Sequence, residues 1–238
     1  MRNIVVAAAL LAGSVQAQPA SIHPQAVAAR GLPVRSDTLD GYIVSGARRQ
    51  FFGYYVHELA RTTIGGRAAY FVIMNYRSGG GGFQSDTTAL DAASLTPLWR
   101  RFHAKVDTIS VAYDGRNVVG YAIQNRNGKI TRKKISRQVS DSAFSAGMAR
   151  WFAGGLPLAP GYTFSVTTYS EWSDSEQRDE ITVSRSAKVK IGAREVDAWV
   201  LTLSNGAERW IDKATGAMVQ EIDPRRMGNA AAVKVMRR

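Results

Sequence analysis

From Tyr42 onward the chain alternates apolar and polar positions in short runs separated by turn-forming residues, the pattern of antiparallel strands. Phe51 to Thr63 is aromatic and β-branched and ends at Gly65-Gly66, a hairpin dipeptide, with Ala68 to Tyr76 as its partner. That partner is apolar on both parities: Tyr70, Val72, Met74 and Tyr76 on one face, Phe71 and Ile73 on the other. Such a strand is buried on both faces or borders an apolar cavity. The run Gly79–Gly82 breaks the pattern as a hairpin tip or the lip of a cavity. Strands follow at Phe83–Leu90 and Leu98–His103, with Pro97 marking the turn. Thr108–Tyr113 and Val118–Gln124 form a hairpin around Asp114-Gly115-Arg116-Asn117, and Lys129–Val139 follows Asn125–Gly128. The later strands are Tyr162–Tyr169, Glu180–Ile191, Glu195–Ser204, Ala207–Asp212 and Ala217–Ile222, with Asn205-Gly206 a strong hairpin signal.

One segment switches period. Asp141 can serve as an N-cap, Phe144, Met148, Trp151 and Phe152 fall at i, i+4, i+7 and i+8, and Gly154-Gly155 ends the run. The spacing predicts a helix over 141–153. The expected fold is therefore mainly β: a strongly curved antiparallel half-barrel of about ten strands with one α-helix plugging its open side. It occupies one domain, residues 37–223, between a linker at 18–36 and a loose basic tail at 224–238.

The N-terminus has another character. Arg2 precedes an apolar run from Ile4 to Ala12, and Val15 and Ala17 supply small residues before a cleavage point. This is the layout of a signal peptide over residues 1–17. The run is about half the roughly 20 residues a spanning helix needs. The expected location is the periplasm or the exterior, as a soluble protein. With no cysteine in the chain, disulfides, thiolate metal sites and a cysteine nucleophile are excluded, so burial alone must hold the fold together.

The formal charge of +12 favours anionic surfaces such as lipid head groups, and the export signal argues against nucleic acid. The densest basic cluster is Lys129, Arg132, Lys133, Lys134 and Arg137. On a strand, Lys133 and Arg137 share one face, Arg132 and Lys134 the other. The cluster reads either as protection of a sheet edge or as a docking patch for a membrane or partner. Catalytic signatures are missing. The three histidines, His23, His57 and His103, have no metal-ligand spacing, so no metal or cofactor is expected. His57 reads as structural. There is no G-x-S-x-G elbow, and no phosphate loop follows the glycine run. The acidic stretch Glu171–Glu180 reads as a solvated hairpin loop.

Four stretches carry a family resemblance: SDTTALDAASLTPLWR (Ser85–Arg100), VAYDGRNVVG (Val111–Gly120), WFAGGLPLAPGY (Trp151–Tyr162) and ERWIDKATGAMV (Glu208–Val219). In that order the chain resembles an uncharacterised family of exported bacterial β-rich proteins, known only as a domain of unknown function. The architecture of that family is similar to the clamshell half-barrels of the periplasmic lipoprotein carriers. The resemblance implies a curved sheet around an apolar cavity, and it brings no catalytic residues. The expected function is non-enzymatic binding of a lipid, acyl chain or lipoprotein anchor. The cavity lining would come from Tyr70, Val72, Met74, Phe144, Met148, Trp151, Phe152 and Trp199. The alternative is an envelope-assembly protein that docks through its basic face and has no ligand cavity.

The export reading makes a direct prediction. The exported protein begins at Gln18, and its N-terminal sequence reads QPASIHPQ. Recovery of Met1 on exported material overturns it.

Overall fold

The computed structural model describes residues 20–28, 31–145, 151–227 and 230–237. Almost everything in them is strand, and all the strands join one sheet. In chain order they are β1 (Ala20–Ser21), β2 (Arg35–Ser45), β3 (Arg48–Ile64), β4 (Arg67–Ser78), β5 (Phe83–Asp91), β6 (Pro97–Ala104), β7 (Asp107–Asp114) and β8 (Asn117–Arg126). Then come β9 (Lys129–Gln138), β10 (Ala143–Ser145), β11 (Thr163–Ser170), β12 (Ser175–Ile191), β13 (Arg194–Leu203), β14 (Glu208–Asp212), β15 (Met218–Met227) and β16 (Ala230–Met236). From β2 to β9, and again from β11 to β16, each strand pairs antiparallel with the next in sequence. The two meanders join where β16 pairs with β2.

The mainly β, curved single-sheet reading holds, and its details change. Among the described residues the sheet has 16 strands rather than about ten, because segments read as linker, helix and tail also pair. The expected helix over 141–153 is not what its described residues form. Asp141 and Ser142 make a turn, Ala143–Ser145 is β10, paired parallel with β11, and Phe152–Gly155 is a short 3₁₀ turn. Residues 146–150, Met148 among them, lie outside the described residues. The physical reason is competition for the same apolar groups. Phe144 is buried as part of a strand on the edge of β11, and Trp151 and Phe152 reach the core from the turn, so an amphipathic stripe is not required to bury them.

Both ends of the chain also do more than expected. The segment read as a linker holds β1, a five-residue helix α1 (Pro24–Ala28), and the buried side chains Ile22, Val27 and Leu32. The segment read as a loose tail supplies β16, which has a strand on each side. Its buried Lys234 donates to Glu221 of the neighbouring β15 at 2.5 Å, which is how a basic residue enters a central strand.

The sheet curls until its two ends meet without backbone pairing between β9 and β11. Side chains bridge that seam. The hydroxyl of Tyr169 donates to Asp174 at 2.7 Å, Lys133 lies 3.4 Å from the same carboxylate, and the Arg137 guanidinium donates to the Asp174 carbonyl at 2.8 Å. The Tyr169 bond, opposed by burial and reinforced by Lys133, holds the Asp174 carboxyl below its ordinary pKa. Curvature needs room on the concave side. Gly120, at φ +153°, sits where an added Cβ would lie 2.1 Å from the Ser110 carbonyl oxygen. Only glycine lets β8 approach β7 that closely.

Two apolar clusters fill the concave side. One gathers Leu39, Leu59, Tyr70, Val72, Leu90, Phe144, Trp151, Phe152, Phe164 and Leu201. The other gathers Ile109, Val111, Tyr113, Val118, Ile135 and Tyr169, with Phe102 and Trp172 packed against it.

Candidate functional site

The concave face of β3 to β6 is set by register. Val72 pairs with Leu59 on one side and Thr88 on the other, and Met74 pairs with His57 and Asp86. Thr88 in turn pairs with Arg100, and Asp86 with Phe102. Because strand side chains alternate between faces, these residues all point inward. The result is a row of polar groups, His57, Asp86, Thr88 and Arg100, set among apolar neighbours.

The polar groups form a buried ion cluster. The Arg100 guanidinium donates from Nε to Asp86 Oδ1 at 2.9 Å and from Nη2 to Asp86 Oδ2 at 2.7 Å, a bidentate fork. Its Nη1 donates to Oε2 of Glu171. The other Glu171 oxygen accepts from the Tyr113 hydroxyl at 2.7 Å. Exposure decides how such a cluster behaves, and here it is 6% for Arg100, 4% for Asp86 and 0% for Glu171. Burial disfavours the guanidinium charge, but Glu171 and Asp86 outweigh that and hold its pKa above the ordinary value. Burial, followed by the Glu171 charge, pushes the Tyr113 phenol well above its usual range.

Beside this cluster lies a cavity of about 200 Å³, lined by His57, Val72, Met74, Gln84, Asp86, Thr88, Arg100, Phe102, Trp151 and Trp172. It touches both apolar clusters. Each tryptophan is held by a neighbouring ring. Trp151 packs edge-on to the His57 ring at 6.4 Å and lies under the Arg35 guanidinium at 4.9 Å. Trp172 meets Phe102 edge-to-face at 5.2 Å. A second, larger groove of about 610 Å³ runs past Trp199, Arg61 and Lys213. Among the described residues no three His, Asp or Glu side chains are grouped as a metal site, and no helix is long and apolar enough to cross a membrane.

The residues expected to line a cavity are divided by the structure. Val72, Met74 and Trp151 line the one beside Arg100. Tyr70, Phe144 and Phe152 are packed into the core, and Trp199 lines the outer groove with Lys213 over its ring at 3.9 Å. Met148 lies outside the described residues. The basic cluster is divided too. Lys133 and Arg137 turn toward the seam and Asp174, whereas Arg132 and Lys134 share the opposite parity on β9, with Arg132 over the Tyr121 ring at 4.3 Å. Lys129 is exposed at the start of β9.

Sequence reasoning missed Asp86, Arg100 and Glu171. The first two had a usable signal: a hairpin tip at Gly79–Gly82 puts Asp86 on the same parity as Met74 and Val72, inside. Glu171 had none. It sits in a polar run read as solvated, and only the closing of the sheet buries it.

A family model described as "Protein of unknown function (DUF3108)" matches residues 49–224. The chain belongs to this family. The match runs from within β3 to within β15, and so takes in every residue of the ion cluster. No curated protein matches the sequence. One similar solved structure is the crystal structure of a beta-barrel-like protein of domain of unknown function DUF1849 from Brucella abortus. It is 12% identical, covers 87% of this chain and 96% of its own, and has a TM-score of 0.46.

The ion cluster predicts its own fragility in this DUF3108 member. Arg100→Met leaves two carboxylates buried without their cation and costs about 3–5 kcal/mol. Arg100→Lys recovers only part of this, since an ammonium cannot fork to Asp86 while reaching Glu171. Chemical denaturation of the three proteins measures both effects; a methionine variant as stable as the parent overturns the assignment.

Proposed function

We propose that the protein is an exported, non-enzymatic binding protein for a small apolar or amphipathic ligand held inside the curved sheet. The supporting observation is the cavity beside Arg100, with two tryptophans, a phenylalanine, Val72 and Met74 around it and polar groups gathered on one wall. This combination of apolar lining with a few placed polar groups is what ligand sites have. Its size limits the ligand. An engineered cavity of about 150 Å³ accepts benzene, so the 200 Å³ present here holds an apolar group only slightly larger. A long acyl chain enters with one end only.

Chain length is the test. Each buried methylene contributes about 0.8 kcal/mol, roughly fourfold in affinity. Calorimetric titration with a series of n-alkanols is expected to show that increment up to about hexanol or heptanol and then a plateau. Trp151→Ala widens the cavity, moves the plateau to longer alkanols and costs about 3 kcal/mol of stability, the low end for a buried aromatic because one side already faces space. Absence of binding, or an increment that never levels off, overturns the proposal.

A second reading, docking to an anionic membrane, has an observation of its own. On β9 and β8 the parity that carries Arg132 and Lys134 also carries Ile130 and Val119, exposed by 61% and 50%. Apolar and basic side chains mixed on one outward face suit a lipid interface. Vesicles containing phosphatidylglycerol are then bound more tightly than phosphatidylcholine vesicles. Added salt weakens this, because exposed charges are screened beyond about 8 Å at physiological ionic strength. Equal binding to both vesicle types rejects docking.

A further inference from the structure

We infer that the ligand end held against the sheet in the cavity beside Arg100 is a neutral or cationic hydrogen-bond donor, an alcohol, amide or amine, and not a carboxylate or phosphate. This rests on the reading of that cavity as a binding site.

The chain as a whole carries a formal charge of +12, which would suggest an anionic ligand. The buried ion cluster beside the cavity has the opposite balance; Asp86 and Arg100 line the cavity, and Glu171 joins them through its bond from Arg100. One guanidinium, on Arg100, stands against two carboxylates, on Asp86 and Glu171, and all three are at least nine-tenths buried. The remaining titratable group on the wall is His57, itself 4% exposed. With His57 neutral the group is net negative, and with His57 protonated it is neutral; in neither state is it positive. An anion entering here would give up its water without gaining a net counter-charge.

The hydrogen-bonding inventory points the same way. Three of the five Arg100 N–H groups, one each on Nε, Nη1 and Nη2, already donate to the two carboxylates. Asp86 takes one bond from Arg100 on each oxygen, and a carboxylate oxygen can accept more than one. Thr88, on the same strand and face as Asp86, is 1% exposed and lines the cavity, and its Oγ1 has no hydrogen-bond partner. A buried hydroxyl left unpaired is costly. A group that donates to Asp86 and exchanges a bond with Thr88 satisfies both, and an alcohol or amine can do this.

The test compares hexylamine, hexanol and hexanoate, which differ only at the polar end, by calorimetric titration of the mature protein at neutral pH. Hexylamine and hexanol are expected to bind at least tenfold more tightly than hexanoate. Asp86→Asn removes one negative charge and shifts the hexanoate-to-hexylamine ratio at least tenfold toward hexanoate. Thr88→Val keeps the shape, disturbs no ion pair, and weakens hexanol about fivefold, which keeps the test open if the Asp86 variant does not fold. Hexanoate binding as tightly as hexylamine overturns the inference while leaving the cavity as a binding site. If none of the three binds, both the inference and the cavity reading fail.

Discussion

The Arg100 guanidinium joins parts of the chain that backbone pairing leaves apart. Its fork onto Asp86 is local, between adjacent strands β5 and β6. Its third bond crosses the interior to Glu171, at the end of β11 on the far side of the seam. Tyr113, from β7, reaches the same carboxylate. Between β9 and β11 no ladder of backbone hydrogen bonds closes the sheet, so this buried network and the Asp174 contacts hold the curl. A buried ion pair is a weak source of net stability but a strong selector of geometry, because an arrangement that separates its members leaves a charge alone in the core.

The cavity follows from that arrangement. Two apolar clusters fill the curl from either side, and the charged side chains between them cannot be packed over by hydrocarbon. Space remains where Thr88, Asp86 and Arg100 face Trp151 and Trp172. With no cysteine in the chain there is no disulfide to stabilise the fold, and a void beside charged groups is a poor way to fill a close-packed core. The proposed ligand gives that void a role.

The four sequence stretches that carry the family resemblance hold Asp86, Arg100, Tyr113 and Trp151 among their residues. The structure shows that three of these four residues belong to the ion cluster and three line the cavity. The cluster was only partly legible because strand parity places a side chain on a face without saying which side chain it meets there. Asp86 and Arg100 lie 14 positions apart and share a hairpin, so their meeting is nearly local. Arg100 and Glu171 lie 71 apart, and nothing along the chain links them.

By itself the sequence determined the class of the fold: period-two alternation, glycine and asparagine turns and apolar strands of both parities require an antiparallel sheet with a buried side. It also determined that the buried side is rich in aromatic rings, since Tyr70, Trp151 and Phe152 have few other places to go. Tertiary structure decided what happened at the breaks in that pattern. The stripe from Phe144 to Phe152 has helical spacing, but its described residues form a short parallel strand and a 3₁₀ turn, because the open edge of β11 offers pairing that a lone helix would forgo. The Ala-rich tail has no strong strand signal, yet β16 lies in the middle of the sheet, where Glu221 accepts from its lysine. In both places local propensity differs little between alternatives, and the choice falls to partners brought close only when the sheet curls.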